Sequence, residues 1–304
     1  ARSQKSNGYD QGNLSEKEQG KILAEMTMTI RDAGCAGGLI FSWQDEWFKR
    51  TWNTMDFSLP DYRAYWSDAQ TNEQSFGLLA FDPGRKKSIC YVDGNTMEWS
   101  RGDVLATSGD LTLSAKSDEK YLYLRIHKPN LDLDRDKFLI PIDITSKSGI
   151  TKSVGYDAEF ERPADFLIRV DGEKHTTVQI HDYYDAFTYL YASQMFDMDP
   201  YLLQLDKNTG DFVNIYLAMR RPLLIQATGK LSAPSFFDTG KLRYGNANPS
   251  SSYYNSIADF CAGKNDIEIR IPWALMNIMD SSSKQVMDDF YSLRAIMPQR
   301  FDSI

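Results

Sequence analysis

From about residue 76 onward the chain is written in short alternating runs, and that period restricts it to a β-rich fold. Leu111-Thr112-Leu113-Ser114-Ala115 alternates apolar and polar, turns at Ser117-Asp118-Glu119-Lys120, and returns as Tyr121-Leu122-Tyr123-Leu124-Arg125-Ile126. Successive side chains on a strand point to opposite faces, so this pair reads as a hairpin with one face turned to a core. Further strands are predicted at 137–144, 165–170, 175–182, 201–206, 211–217, 222–227 and 267–271, with turns at Asp171-Gly172 and Asn208-Thr209-Gly210. The Pro/Ser/Asn/Gly-rich stretch 232–252 reads as a long loop. About nine strands in roughly 230 residues, with few helical patterns, predict a mainly β chain folded as an antiparallel β-sandwich over 76–304.

The first 60 residues follow another period. Ser15 and Glu18 form an S-x-x-E capping box, Gly34 stands where a helix would end, and Ile22, Leu23, Met26, Ile30 and Ala33 fall on one helical face. The run Gly38–Trp43 is almost uniformly apolar, the pattern of a strand covered on both sides. A helix joined by a Gly-rich loop to such a strand predicts an α/β segment over 1–60, with 61–75 a connector. The chain opens with a polar stretch and no Met, which reads as a cut inside a longer protein.

Charge and cysteine narrow the function classes. A net charge of −8 argues against nucleic acid and anionic membrane surfaces as partners. No apolar run reaches the roughly 18 residues that a membrane span requires. Cys35, Cys90 and Cys261 are odd in number, lack ligand-like spacing and read as free thiols. Localisation stays open, with an extracellular or cell-envelope setting favoured. Seventeen Tyr and six Trp are a high load, suited to carbohydrate or protein contact and equally to a β core.

Four of the Trp, Trp43, Trp47, Trp52 and Trp66, crowd the stretch that begins GLIFSWQDEWFKRTWN. A strand running into aromatic and acidic residues is what the mouth of a sugar-processing barrel presents, because rings stack on pyranose faces and carboxylates do acid–base work. Trp43 and Trp47 are therefore candidate substrate contacts, and Asp45 and Glu46 candidate catalytic groups. Being adjacent, Asp45 and Glu46 point to opposite sides of a strand and cannot flank one glycosidic bond as a pair. One can face a barrel mouth while the other pairs with Lys49 or Arg50, so Glu46 reads either as a substrate contact or auxiliary acid or as part of a structural salt bridge. The tryptophans have a second reading as anchors that glue the α/β piece to the β module.

Two resemblances follow from these residues. EKEQGKILAEM followed by AGGLIFSWQDEWFKRTWN resembles the last repeat of a glycoside-hydrolase-type (β/α)8 barrel, as found in large bacterial proteins labelled family 2 glycosyltransferases. It implies that this segment supplies one wall of a carbohydrate-active site, although a complete barrel has no room ahead of it. Tyr91-Val92-Asp93-Gly94, Glu98-Trp99, Asp118-Glu119-Lys120-Tyr121-Leu122-Tyr123-Leu124, Ile142-Asp143-Ile144 and Ile267–Trp273 are similar, in that order, to family 9 carbohydrate-binding modules and their DOMON-like relatives. That likeness implies a β-sandwich that binds polysaccharide or oligosaccharide, with Trp99 and Trp273 in the core, structural calcium in several members and haem in some relatives. It also leaves room for a purely supporting domain, with further domains of the same polypeptide as partners.

Tyr183, Tyr184 and Tyr189 in HDYYDAFTYLY, and Tyr253 and Tyr254 in the Ser-rich loop, are the candidate sugar platforms, with edge-strand packing as the alternative. Asp132, Asp134 and Asp136 alternate in NLDLDRDKF, the donor type for Ca²⁺; Lys137 stands where an EF-hand requires Gly, so only another calcium geometry remains, against a plain acidic turn. His175 and His181 lie about 20 Å apart along one predicted strand and cannot share a metal. Walker, GxSxG and HExxH motifs are absent.

Overall fold

The strand Tyr121–His127 shows how the β region is assembled. Alternation puts Leu122, Leu124 and Ile126 on one face, and the antiparallel neighbour Asp266–Pro272 sets Ile271, Ile269 and Ile267 opposite them; all six are buried. The other face carries Tyr123, Arg125, Glu268 and Arg270, so the two central strands pair an aliphatic side with an aromatic and charged one. A computed structural model describes residues 14–46, 76–80, 88–186, 189, 207, 209–220 and 222–301, side chains at 217–220 and 235 excepted. Strands are numbered along the chain.

The described residues fall into two units, the first drawing on the chain up to Asp132 and on Arg243–Ala274, the second on Leu133–Leu242 and on the chain from Leu275. In the first unit β1 (Val104–Ser108), β2 (Leu111–Ser117), β3 (Tyr121–His127), β14 (Phe260–Ala262) and β15 (Asp266–Pro272) form one antiparallel sheet, ordered β1-β2-β3-β15-β14. In the second, β4 (Phe138–Ile142), β7 (Phe166–Val170), β8 (Thr177–His181) and β9 (Phe212–Asn214) make a four-stranded antiparallel sheet. Two-stranded ribbons pair β5 (Ile150–Ser153) with β6 (Ala158–Ala164), β10 (Tyr216–Arg220) with β13 (Ser235–Asp238), and β11 (Leu224–Ile225) with β12 (Lys230–Leu231). A three-stranded sheet joins β16 (Ile278–Asp280), β17 (Gln285–Met287) and β18 (Pro298–Arg300).

Most predicted strands are present within a few residues of their expected limits. Two places differ. The stretch 232–252 contains β13, which forms because β10 offers it a ladder partner. His175 is not on a strand with His181: Gly172, at φ +70, turns the chain into α2 (Gly172–His175), and the strand begins at Thr177. The predicted strand 201–206 lies outside the described residues.

The helix α1 (Glu16–Asp32) carries both predicted caps. The Ser15 hydroxyl accepts from Glu18 N at 3.3 Å, while Glu18 Oε2 accepts from Ser15 N at 2.8 Å. At the other end Gly34 has φ +73, its N–H meets Arg31 O, and Cys35 N meets Ile30 O, a paired closure that uses the last free carbonyls. The predicted apolar face is nevertheless open: Ile22 is 38 % and Met26 54 % exposed, and only Gln19 of the helix is buried. Periodicity marks the face that favours burial; it does not supply the surface that covers it.

The strand predicted over Gly38–Trp43 is likewise only partly formed. Leu39 and Ile40 are exposed, and among the described residues pairing starts at Ser42, where 42–45 runs parallel to 76–79. Gly77 is required at this crossing, since an added Cβ would stand 2.1 Å from Asp45 N.

Two buried carboxylates tie irregular segments to these sheets. Glu268 accepts from Trp99 Nε1 at 2.7 Å, Gly94 N at 2.8 Å and Asp93 N at 3.2 Å. Asp165 accepts from Ile144 N and Thr145 N at 2.8 Å each and from the Ser148 hydroxyl. Burial outweighs these donors and pushes Glu268 up to about 7 and Asp165 up to about 6, from ordinary values of 4.5 and 3.8. The native chain therefore holds protons that the unfolded chain releases, and this contribution to stability fades as pH rises through 6 to 7. A thermal melt series is expected to give a higher Tm near pH 5.5 than near pH 8, with a smaller difference in Glu268→Gln. Glu268→Ala strands three donors and is expected to cost on the order of 3 kcal/mol in a denaturant titration.

Candidate functional site

Among the platform candidates, the loop 246–257 of the first unit presents an aromatic side chain outward. Its shape comes from short side-chain caps: Ser250 N donates to Asn248 Oδ1 at 2.9 Å, and Ile257 N to Asn255 Oδ1 at 3.2 Å. Asn255 N closes on Asn246 O at 2.7 Å. The loop is then fastened to the Glu268 clasp, since Asn248 Nδ2 donates to Asp93 Oδ2 at 2.7 Å and Ala247 N to Val92 O at 2.7 Å. From the other side the Arg270 guanidinium donates to Ser256 O and Ala258 O, each at 2.8 Å. Tyr253 emerges from this frame 84 % exposed.

The same loop also meets α1. Tyr254 is half-buried, and its hydroxyl donates to Glu16 Oε2 at 3.4 Å, while Glu16 N donates to the Ser256 hydroxyl at 3.0 Å. Burial, followed by the Glu16 carboxylate, pushes the Tyr254 phenol up to about 12, so it remains a donor at every ordinary pH. The Arg270 guanidinium lies 4.9 Å from the centre of the Tyr121 ring. An exposed ring on a braced loop can stack on an apolar ligand face.

The HDYYDAFTYLY cluster plays a different part from the one expected. Tyr184 is 1 % exposed, its hydroxyl donates to Met287 O at 2.5 Å, and its ring stacks on Phe290, so it is a core side chain and not a platform. Tyr183 is also buried, donating to Asp289 Oδ1 at 2.7 Å beneath the Lys207 ammonium. Burial opposes ionisation of Asp289, yet its bonds to Lys207, Ser292 and Tyr183 hold it below the usual carboxylate range. Phenols bury well when a hydrogen-bond partner is available inside, and both, in the turn that follows β8, found one. Tyr189 remains half-exposed, edge-on to Tyr291 with ring centres 5.4 Å apart.

At the end of the parallel ladder, Asp45 and Glu46 do face differently. Asp45 is buried and its Oδ1 accepts from Gly77 N at 3.0 Å, while Gln19 Nε2 reaches Gly77 O at 3.5 Å, so Asp45 clasps the crossing and is not presented to a substrate. Glu46 is partly exposed and Trp43 is 70 % exposed. Trp47, Trp52, Trp66, Lys49 and Arg50 lie outside the described residues. Asp132 and Asp134 are exposed and Asp136 pairs with Arg135 at 3.3 Å; among the described residues no group of three or more His, Cys, Asp or Glu is gathered for a metal.

Sequence reasoning passed over Glu268 and Arg270, which hold the Tyr253 loop from behind. The signal available for both was a charged residue at every second position of an otherwise apolar strand, Ile267-Glu268-Ile269-Arg270-Ile271. Comparison with protein-family models, curated proteins and solved structures gives no match for this chain. Because Tyr253 is exposed and Tyr184 is not, Tyr253→Ala is expected to alter stability by less than about 0.5 kcal/mol and Tyr184→Ala to cost about 3 kcal/mol or more, read from urea unfolding midpoints.

Proposed function

We propose that this chain is a carbohydrate-binding or supporting β module of a larger carbohydrate-active protein, its antiparallel sheets forming a β-sandwich of the carbohydrate-binding-module type. The observation that carries the reading is Tyr253, presented 84 % exposed on a loop braced by Asp93, Asn248 and Arg270. A loop braced in this way loses little backbone freedom when a sugar stacks on its ring, which favours glycan recognition.

A second reading rests on a separate observation. The ladder 42–45/76–79 is parallel, yet Trp43, Leu78 and Leu79 beside it are 70 %, 45 % and 51 % exposed, and α1 leaves Met26 open. Parallel strands are covered on both faces in folded proteins. This favours α1 and the ladder as the closing part of a (β/α)8 barrel, with Trp43 and Glu46 at its rim and the remaining repeats supplied by other domains of the polypeptide.

A glycan array probed with the whole chain, with and without added Ca²⁺, separates these readings. Saturable binding that falls at least about tenfold in Tyr253→Ala, with the melting temperature unchanged, is the expected result for a binding module. Binding indifferent to Tyr253→Ala would remove this loop from the site. A blank array would leave the supporting role.

A further inference from the structure

Asp93 and Gly94 stand between two sets of hydrogen bonds. On the sheet side their N–H groups meet Glu268 Oε2 at 3.2 and 2.8 Å. On the loop side Asp93 O accepts from Asn246 Nδ2 at 3.5 Å and Asp93 Oδ2 from Asn248 Nδ2 at 2.7 Å, while Val92 O takes Ala247 N at 2.7 Å. Gly94 reaches the carboxylate at φ +83, and a Cβ added at Gly263 would stand 2.6 Å from Gly94 O, so the segment lies tight on the sheet. One stem of the Tyr253 loop is therefore joined to β15 only through Val92, Asp93 and Gly94. The other stem, at Ser256 and Ala258, is held separately by Arg270. Lifting 92–94 frees the first stem and leaves the second in place.

The carboxylate under this segment is fully buried, and the cations on its face of the sheet are engaged elsewhere. Arg125, opposite it on β3, pairs with Asp266 at 2.8 Å, and His127 pairs with the same carboxylate at 2.9 Å. Arg270 is spent on the loop carbonyls, and Lys116 of β2 donates to Glu98 O at 2.6 Å and lies over the Trp99 ring. The other titratable neighbours are acids. Cys261 is opposite Glu268 on β14, Cys90 Sγ is 3.8 Å from Oε1, Tyr123 shares its face on β3, and Asp93 lies directly above. Among the described residues no cation forms an ion pair with Glu268.

A buried carboxyl with no counter-ion is accommodated as the neutral acid, whereas its ionised form gains by reaching water. Lifting 92–94 is the motion that admits water to it. We propose that the Glu268 clasp is a proton-operated latch on the Tyr253 loop, closed while the carboxyl holds its proton and released at the 246–248 stem when it ionises. Burial pushes the closed carboxyl up to about 7, against 4.5 for a hydrated one, so the closed form binds the proton more tightly. Opening is then least favoured below pH 4.5 and grows as pH rises through 7. As a control on glycan binding the latch rests on the reading of Tyr253 given above; as a motion of the loop it does not.

Hydrogen exchange on the whole chain at pH 6 and pH 8, corrected for the intrinsic rate, tests the motion. The Asp93, Gly94 and Ala247 amides are expected to be less protected than those of β3 and to lose about tenfold in protection between the two pH values. Protection equal to that of β3 at both values would mean that the segment opens only with the whole unit, and overturns the latch. Protection that does not change with pH overturns it as well. Glu268→Gln cannot ionise and should abolish the change, which also separates Glu268 from His127. Should that variant fail to fold, the parent decides through the indole N–H resonance of Trp99, expected to titrate between pH 6 and pH 8; a flat signal sinks the proposal. The glycan array repeated at both pH values addresses binding. Signals that weaken at pH 8 alongside protection extend the latch to recognition, and signals that hold while protection falls overturn its control of binding. A blank array with pH-dependent exchange strikes the reading of Tyr253 and leaves the latch standing.

Discussion

The Glu268 carboxylate is the interaction on which the first unit depends. It sits on the central strand β15, fully buried, and is the common acceptor for Trp99 Nε1 and the backbone of Asp93 and Gly94. Without it the 90–99 segment, which makes no long ladder of its own, has no polar attachment to the sheet at this point. Around the clasp, Cys90, Val92, Trp99, Tyr123, Ala247, Ala258 and Cys261 close into one cluster that keeps water from the carboxylate. Burial and hydrogen bonding oppose each other here: the low dielectric raises the proton affinity of Glu268 and also strengthens each bond it accepts. Both neighbouring thiols feel the same environment; Cys261 is raised to about 11 and Cys90 further, so neither is a nucleophile at neutral pH.

The second unit repeats the device with other residues. Asp165, at the start of β7, gathers Ile144 N, Thr145 N and the Ser148 hydroxyl, and so fixes the chain that leaves β4. In both units the regular strands are stabilised by ladder bonds and apolar burial, while buried carboxylates, Glu268 and Asp165 among them, set the path of irregular segments. Such groups contribute specificity at a cost in desolvation. They are effective because the donors they meet are backbone N–H groups, a packed indole and the buried Ser148 hydroxyl.

This division bears on function. The loop that carries Tyr253 is fixed through Asp93 and Asn248 to the Glu268 clasp, so the backbone beneath a ring 84 % exposed is tied to a group with no exposure at all. Under the proposed reading, a loop ordered in advance leaves little binding energy to be diverted to ordering the site. The parallel ladder has the opposite character: well-bonded backbone, uncovered apolar side chains. Backbone satisfied and side chains open is the signature of a surface awaiting another surface.

How much of this was legible in the sequence varies with the range of the interaction. The caps of α1, the hairpin Leu111–Ile126 and most strands were readable because capping boxes, C-terminal glycines and period-two alternation act over a few residues. The antiparallel, mainly β character followed from those same local signals. What covers each face did not. Tyr184 and Tyr253 each stand in a Tyr-Tyr pair, and only long-range packing buries one against Phe290 and leaves the other at a loop tip. Asp45 became a backbone clasp because Gly77, distant in sequence, brings an N–H to 3.0 Å. Local signals in the chain were enough for the limits of α1, its caps and most strands, whereas the pairing of β13 with β10 and the enclosure of Asp45, Tyr184 and Glu268 came from tertiary contacts, because burial is a property of distant neighbours and carries no local period.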